Sequence, residues 1–409
     1  MTLELPPILG ETSVLIAGAG IGGLASALML ARKGIACTVL EKRTVLDEVG
    51  AGLQLSPNVT RLLIDIGLGP DIARDACEPE RVVIRSLKSG AILGEVALGN
   101  DSAQRHQAPY WLTARDDLHM VLLDAVRLMP NIKLQIGSQI TEARSFPDAV
   151  AAVMRRQGGT VDDTLTPLLV GADGVWSNTR RFMGDLRKPQ FQKALAWRAM
   201  VRMEHVPATA RLNEVCLWIG ENRHVVHYPV KSGTMLNIVV VTRENTPITH
   251  DDDFGWSEDG SMDVLATRMR DAAFALREIL AVPPAWRIWP LYNLPAHRMH
   301  SGRIALVGDA AHPVLPFQAQ GAAMAIEDAA CLAEVISAEP DDVVHSLKAY
   351  ERLRLKRIQK VQNVSRRNGM WFHASMPLAL VRNSVLAMRN RHDMLKKLDW
   401  LYSWRLTMQ

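Results

Sequence analysis

The stretch SVLIAGAGIGGLASALMLARKGIACTVLEK (Ser13–Lys42) leaves few folds open. An apolar run, Val14–Ala17, reads as a buried strand. Gly18, Gly20 and Gly23 complete a G-x-G-x-x-G turn, helix-forming residues follow from Leu24 to Arg32, Gly34 stops the helix, and Ala36–Leu40 give a second strand closing on Glu41. The three glycines serve different physical purposes. Gly18 permits the tight turn, Gly20 lets a diphosphate approach the backbone, and Gly23 lets helix and strand pack closely. The helix N-terminus offers free N–H groups and about half a positive charge to that diphosphate. Glu41 stands where an acid holds both hydroxyls of an adenosine ribose, and its charge disfavours a 2′-phosphate. The uncharged run Ser13–Ala31 is near membrane-span length, but its glycines and strand-like opening argue against a span.

Two later segments repeat the pattern of a strand ending in small residues. LLVGADGVWSNTRR breaks at Gly171 and carries Asp173, which reads equally as a helix cap or a cofactor contact. GRIALVGDAAHPVLPFQAQGAAMAIEDAACLAEVI places Asp309 after an apolar strand, then a loop stiffened by Pro313 and Pro316, then a helix from about Gln320. An NAD domain usually shows one such strand end. Three, at residues 18, 171 and 308, suit an elongated flavin dinucleotide better.

Composition sets broad limits. The 409 residues are 48% hydrophobic and 22% charged, enough apolar material for a sizeable core and unlike a disordered chain. Residues 351–409 carry 13 Lys/Arg against 3 Asp/Glu and so +10, leaving −6 for the rest of a chain at +4. These basic residues alternate with apolar ones at helical spacing, which reads as solvated helix faces rather than a nucleic-acid surface. Cys37, Cys77, Cys216 and Cys331 form no C-x-x-C pair and no metal-ligand spacing. They suit a reducing, cytoplasmic setting, in keeping with an N-terminus that lacks signal-peptide character.

The three segments, with EVGAGLQLSPNVTRLL after the first unit and RDDLHMVLLDAV at Arg115, resemble in order and spacing the signatures of the single-component FAD-dependent aromatic hydroxylases, in their salicylate hydroxylase-like branch. The resemblance covers roughly residues 12–375. It implies that Asp309 hydrogen-bonds the ribityl chain of FAD, and that Arg115 sits beside the diphosphate or ribityl portion. It also implies that the helix beginning near Gly321 and Ala322 points its N-terminus at the pyrimidine side of the flavin. That orientation is favourable on physical grounds too, because reduced flavin is an anion.

From about Gln192 to Thr242 the pattern changes to alternating apolar runs separated by GEN and KSG, as expected of antiparallel strands forming a lid. Within RHVVHYPV, His224 and Tyr228 share one strand face and His227 points the other way. A histidine near its ordinary pKa of about 6.5 is the natural base for a phenol near 10, so His224 and Tyr228 are the catalytic candidates, although a strand histidine is also a common core residue. Their spacing resembles the His and Tyr positions of hydroxybenzoate and hydroxynicotinate hydroxylases. Leu53, Trp218, Pro316 and Phe317 are expected to wall the substrate site. Phe317 departs from the histidine that the hydroxynicotinate enzymes and salicylate hydroxylases carry at this point, and so removes a polar group from the pocket floor. His312 is expected to be structural.

The expected fold is α/β. A discontinuous Rossmann-type FAD domain (1–75, 110–190, 285–375) carries an inserted, mostly antiparallel substrate domain (76–109, 191–284) and a C-terminal helical segment (376–409). The resemblance implies a monooxygenase that takes electrons from a transiently docked NADH or NADPH. It activates dioxygen as a flavin hydroperoxide and hydroxylates a small aromatic compound, with no metal. Epoxidation or reduction of a non-aromatic substrate on the same scaffold, and a non-catalytic flavin-binding role, are the alternatives. The aromatic tail around Trp400, Tyr402 and Trp404 is expected to fill a core or an interface, and a homodimer is compatible with it.

Overall fold

A computed structural model describes residues 13–46, 51–245 and 258–407. Its organising feature is a six-stranded sheet in the order His300–Ser301, Ile304–Leu306, Leu169–Gly171, Val14–Ala17, Cys37–Glu41, Ile132–Ile136, parallel except at the His300 edge. The central strands are apolar on both faces, as a parallel sheet covered on both sides requires. Their register aligns Ala17 with Gly171 and Gly171 with Leu306, so the three motif-bearing strands end side by side. Sequence positions nearly 300 residues apart are thereby brought to one edge, at the carboxyl ends of the strands where ligands of open α/β sheets bind.

Two helices cover this edge. Ile21–Arg32 packs along Gly321–Ala338, with Gly22 facing the Ala325 methyl. The 30-residue helix Val343–Phe372 lies behind and is bolted on by buried charge. Arg354 Nε donates to Asp328 Oδ1 at 2.7 Å and its Nη1 to Glu327 Oε2 at 2.6 Å, with all three side chains fully buried. Arg357 adds two bonds to Glu327, each 2.7 Å long.

The second unit is an eight-stranded sheet ordered Glu258–Gly260, Trp286–Asn293, Gln190–Arg202, Met235–Arg243, Arg223–Val230, Val215–Gly220, Arg81–Ser86, Ile92–Ala97. The hairpin turns fall at Asn222, in the left-handed region at φ +57, and at Lys231–Gly233, close to the GEN and KSG signals. Trp286–Asn293 departs from the expected boundary: it pairs with Gln190–Arg202 in this sheet rather than joining the nucleotide domain. The rear face packs a core of Trp197, Trp286, Leu276 and their neighbours. A three-stranded meander over Ser138–Thr166 was not anticipated. The tail forms helices Leu378–Ala387, Arg391–Lys396 and Asp399–Tyr402. Among the described residues no helix is long and apolar enough to cross a membrane.

Candidate active site

The first glycine turn does what its spacing predicts. Gly18 has φ +107, and its N–H donates to the Leu40 carbonyl at 2.7 Å. A Cβ on Gly23 would lie 1.9 Å from the Gly18 carbonyl oxygen, whereas one on Gly20 would meet no protein atom within 4 Å. Gly23 therefore serves packing, and Gly20 faces open space in which a ligand can approach. Glu41 accepts from the Ala19 N–H at 3.0 Å and the Arg43 N–H at 2.9 Å, which fixes the carboxylate at the strand end. His119, buried on helix Arg115–Arg127, sits 2.7 Å from the Ala19 carbonyl and pins the turn from the other side. Sequence reasoning missed His119; only its helical spacing from Arg115 hinted that it faces inward.

Asp173 spends both oxygens locally. Ser177 donates to one at 2.5 Å, and the Thr179 N–H and hydroxyl reach the other at 2.9 and 3.0 Å. It thus braces the turn into the short helix Asn178–Phe182, whose N-cap is Ser177. The residue that links this segment to the third is Arg180, which is buried. Its Nη1 donates to the Ala310 carbonyl at 2.8 Å and its Nη2 to the Val175 carbonyl at 2.9 Å. Nothing along the chain marked this clamp beyond a basic residue beside a strand end.

Asp309 follows the third strand end. Its carboxyl is raised above the ordinary range by desolvation, with His312 and Arg115 opposing the shift. The residue is nevertheless accessible. Protein atoms therefore crowd the carboxyl without covering it. Arg115 is close enough to act on both Asp309 and Arg198. Behind the loop, His312 Nε2 lies 2.5 Å from Asp328, and the Gly308 N–H donates to the same oxygen at 2.9 Å. His312 is therefore a structural anchor. Burial alone would raise the Asp328 carboxyl, but His312 and Arg354 outweigh it and the net shift is downward.

Helix Gly321–Ala338 begins with no side-chain cap on its first N–H groups and no acid in its first turn. Gln320, the capping position, is instead drawn inward, its Nε2 donating to Ser56 at 2.9 Å while Asn58 donates to its Oε1 at 3.2 Å. Gly321 and Ala322 are partly exposed at this positive helix end. Open backbone at Gly20, an acid at Glu41, the walled carboxylate of Asp309 and an uncapped helix end occur on adjoining strand ends. These residues fit an extended dinucleotide with a flavin ring near the helix terminus.

The large sheet presents its front face to this edge. His224, Val226 and Tyr228 pair with Val241, Val239 and Asn237, and Val239 with Arg198, so all share one face. Leu315 and Phe317 of the third loop pack against Ala194, Ala196 and Val241. His224 is buried, its ring centroid 5.3 Å from that of Phe317 and 5.5 Å from that of Phe372, and its Nδ1 is 2.7 Å from Nε2 of His373. Its pKa falls well below the ordinary value through desolvation, reinforced by His373. Tyr228 engages different neighbours. It is buried against Gly52 and Asn237 and hydrogen-bonded to Gln54, with its phenol pushed up by burial. Leu53 lies beside it on the short strand Gly52–Leu55, and Pro316 is exposed at the loop.

Trp218 requires a correction. It pairs with Val225 and lies in the rear core, where its Nε1 donates to His227 Nε2 at 3.0 Å and Arg85 stacks on its ring at 5.5 Å. Strand alternation puts it on the face away from His224, so it does not wall the front site. Arg198 was missed. Its guanidinium lies 5.0 Å over the Trp289 ring and its Nε is buried without a partner. Among the described residues no carboxylate pairs with it. Its pKa is lowered by desolvation first and by Arg115 second.

This arrangement has relatives. The FAD binding domain family matches residues 11–365. The chain belongs to that family. It is 33% identical over 402 residues to 3-hydroxybenzoate 6-hydroxylase 1 of Aquipseudomonas alcaligenes, covering 96% of this chain and 98% of that protein. It is also 33% identical to the 3-amino-4-hydroxybenzoate 2-monooxygenase PtnB3 of Streptomyces platensis over 96% of both. Among solved structures, Klebsiella pneumoniae HpxO with FAD and uric acid superimposes with a TM-score of 0.83 at 22% identity, over 95% of this chain and 96% of that one. A salicylate hydroxylase substrate complex gives 0.80 at 22%, over 97% and 96%. Those two establish the fold; the family and the curated relatives make the chain an FAD-dependent aromatic monooxygenase.

Proposed function

We propose that the protein hydroxylates a small phenolic acid, using NADH or NADPH and dioxygen, with the ring held between the front face of the large sheet and the loop after Asp309. One observation carries this reading. His224 and Arg198, which has no carboxylate partner among the described residues, share a sheet face that closes on Phe317. Arg198 is half-buried and its Nε is enclosed without a hydrogen-bond partner, and a partly desolvated cation of this kind is relieved by an anionic ligand. The curated relatives named above act on hydroxybenzoates or aminohydroxybenzoates, which carry both a carboxylate and a phenol.

Bound FAD supplies the electron transfer and the oxygen activation. The residues assigned to hold it are Gly18, Gly20, Gly23, Glu41, Arg115, Asp173 (through its turn), Asp309, Gly321 and Ala322. Arg198 would bind the carboxylate, with Phe317 and Leu53 lining the ring. His224 accepts the phenolic proton, raising electron density on the ring carbon that is attacked. Its lowered pKa keeps it neutral and ready near pH 7, and the phenolate formed beside it draws the imidazolium pKa back up. Tyr228 closes the end of the face near Gln54. Closure of the sheet over the loop excludes water from the reacting edge.

The test is a screen of hydroxybenzoates, aminohydroxybenzoates and their decarboxylated phenols for stimulated coenzyme oxidation, with product identification. Hydroxylated product from carboxylated phenols is expected. Stimulation by none of them, or stimulation that yields only hydrogen peroxide, would overturn the proposal.

A further inference from the structure

One titratable side chain reaches the proposed base from the end of a long helix. His373 follows the helix Val343–Phe372, and its Nε2 lies 2.7 Å from His224 Nδ1 with ring centroids 5.0 Å apart. Its position is built in. Arg382 Nη1 donates to the Trp371 and Phe372 carbonyls, each at 3.0 Å, and the Asn222 N–H donates to the His373 carbonyl at 3.3 Å. The groups around the pair are the rings of Phe317 and Phe372, Val241 and Ile219 on the flanking strands, and the cations Arg243 and Arg382. Among the described residues no carboxylate bonds to either imidazole. Desolvation, then Arg243 and Arg382, push His373 down to about 4, so both rings are neutral near pH 7.

Two neutral imidazoles in contact share one proton, and the two arrangements differ in consequence. If His373 donates, His224 carries its own proton on Nε2 and cannot take another there. If His224 donates from Nδ1, its Nε2 is free to accept. An incoming phenol O–H finds an acceptor only in the second arrangement. Once His224 becomes an imidazolium, its Nδ1–H would be buried among aromatic rings without an acceptor if His373 were absent, at a substantial desolvation cost.

We propose that His373 is the positioning residue for His224, holding it in the Nδ1–H form and accepting that hydrogen bond while the phenolic proton resides on Nε2. The phenol O–H bond breaks as the Nε2–H bond forms, and no other reactant is consumed. The proposal rests on the assignment of His224 as base.

The ionisation of 3-hydroxybenzoate bound to FAD-loaded protein, followed by phenolate absorbance against pH, reads this without turnover, and 1H–15N spectra of histidine-labelled protein read the ring tautomer. His224 is expected to carry its proton on Nδ1. His373→Leu is expected to raise the ionisation midpoint by about one pH unit, a tenfold loss of acidity, whereas His373→Gln, which retains an acceptor, stays near wild type. Flavin content and Tm of both variants report folding. A His224 proton found on Nε2, or a His373→Leu midpoint equal to wild type, overturns the proposal. If His224→Gln still shifts the midpoint in the latter case, the base assignment survives; if neither variant shifts it, both fall.

Discussion

At the scale of the residue, chemistry depends on which polar groups the fold leaves without protein partners. Burial keeps His224, the proposed base, neutral, and ties one of its ring nitrogens to His373. His224→Ala is expected to lower kcat on the best phenolic substrate by roughly 10²–10⁴-fold, checked by steady-state kinetics with flavin content held equal. Since desolvation depresses the pKa, the acid limb of kcat/KM should lie below the ordinary histidine value of about 6.5. A limb above that value would contradict the assignment. Arg198→Met is expected to raise KM for a carboxylated phenol about 10–100-fold, the worth of a charged hydrogen bond, while leaving its decarboxylated counterpart nearly unchanged. Equal loss on both would make Arg198 a packing residue.

The elements show how glycines separate ligand binding from packing. Gly20→Ala should fold normally and bind FAD more weakly, because its Cβ meets no protein atom. Gly23→Ala should compromise folding, because its Cβ would meet a carbonyl at 1.9 Å. Soluble yield, Tm and FAD titration of the pair would distinguish the two cases. Gly52 is a different kind of position. A Cβ there would lie 2.6 Å from Asn237 and 2.7 Å from the Tyr228 ring, at the contact between the short strand and the lid sheet. Overpacking of this sort costs about 1–3 kcal/mol, visible as a lower denaturation midpoint for Gly52→Ala. The glycine turn, both central strands and the His224/Tyr228 strand were legible in the sequence because their periodicity is local. The rear placement of Trp218 was not, since a strand's two faces look alike until its partners say which one meets the rear core.

For the whole molecule, buried charge couples the helix Val343–Phe372 to the cofactor loop. Arg354 holds Glu327 and Asp328, and Asp328 in turn holds Gly308 and His312. Arg354→Leu would leave buried carboxylates uncompensated and should cost about 3–5 kcal/mol, with FAD released at lower denaturant than in wild type. Calorimetry and flavin fluorescence measure the two effects. Buried histidines also set the response to acid. His227, held near 4 by desolvation and then Arg85, accepts from Trp218 only when neutral. At this site the unfolded chain binds a proton below about 6.5 that the folded chain refuses, so the His227 contribution to stability should fall as pH drops from about 6.5 to 4 and stay constant below. That loss is about 3 kcal/mol. His227→Gln should flatten the decline in a urea series across pH.

Residue order specified what is local: a dinucleotide turn, two further strand ends with small residues, and a histidine and tyrosine on one face of a strand. These follow from periodicity and backbone sterics, which act over a few residues. Folding in three dimensions added that the three strands are neighbours in register, that Arg180 clamps two motifs together, that Arg198 Nε is buried without a partner, and that His373 arrives from the end of the helix Val343–Phe372 to meet His224. Such relations depend on where distant segments pack and on which charges burial leaves unpaired, and no spacing along the chain encodes either.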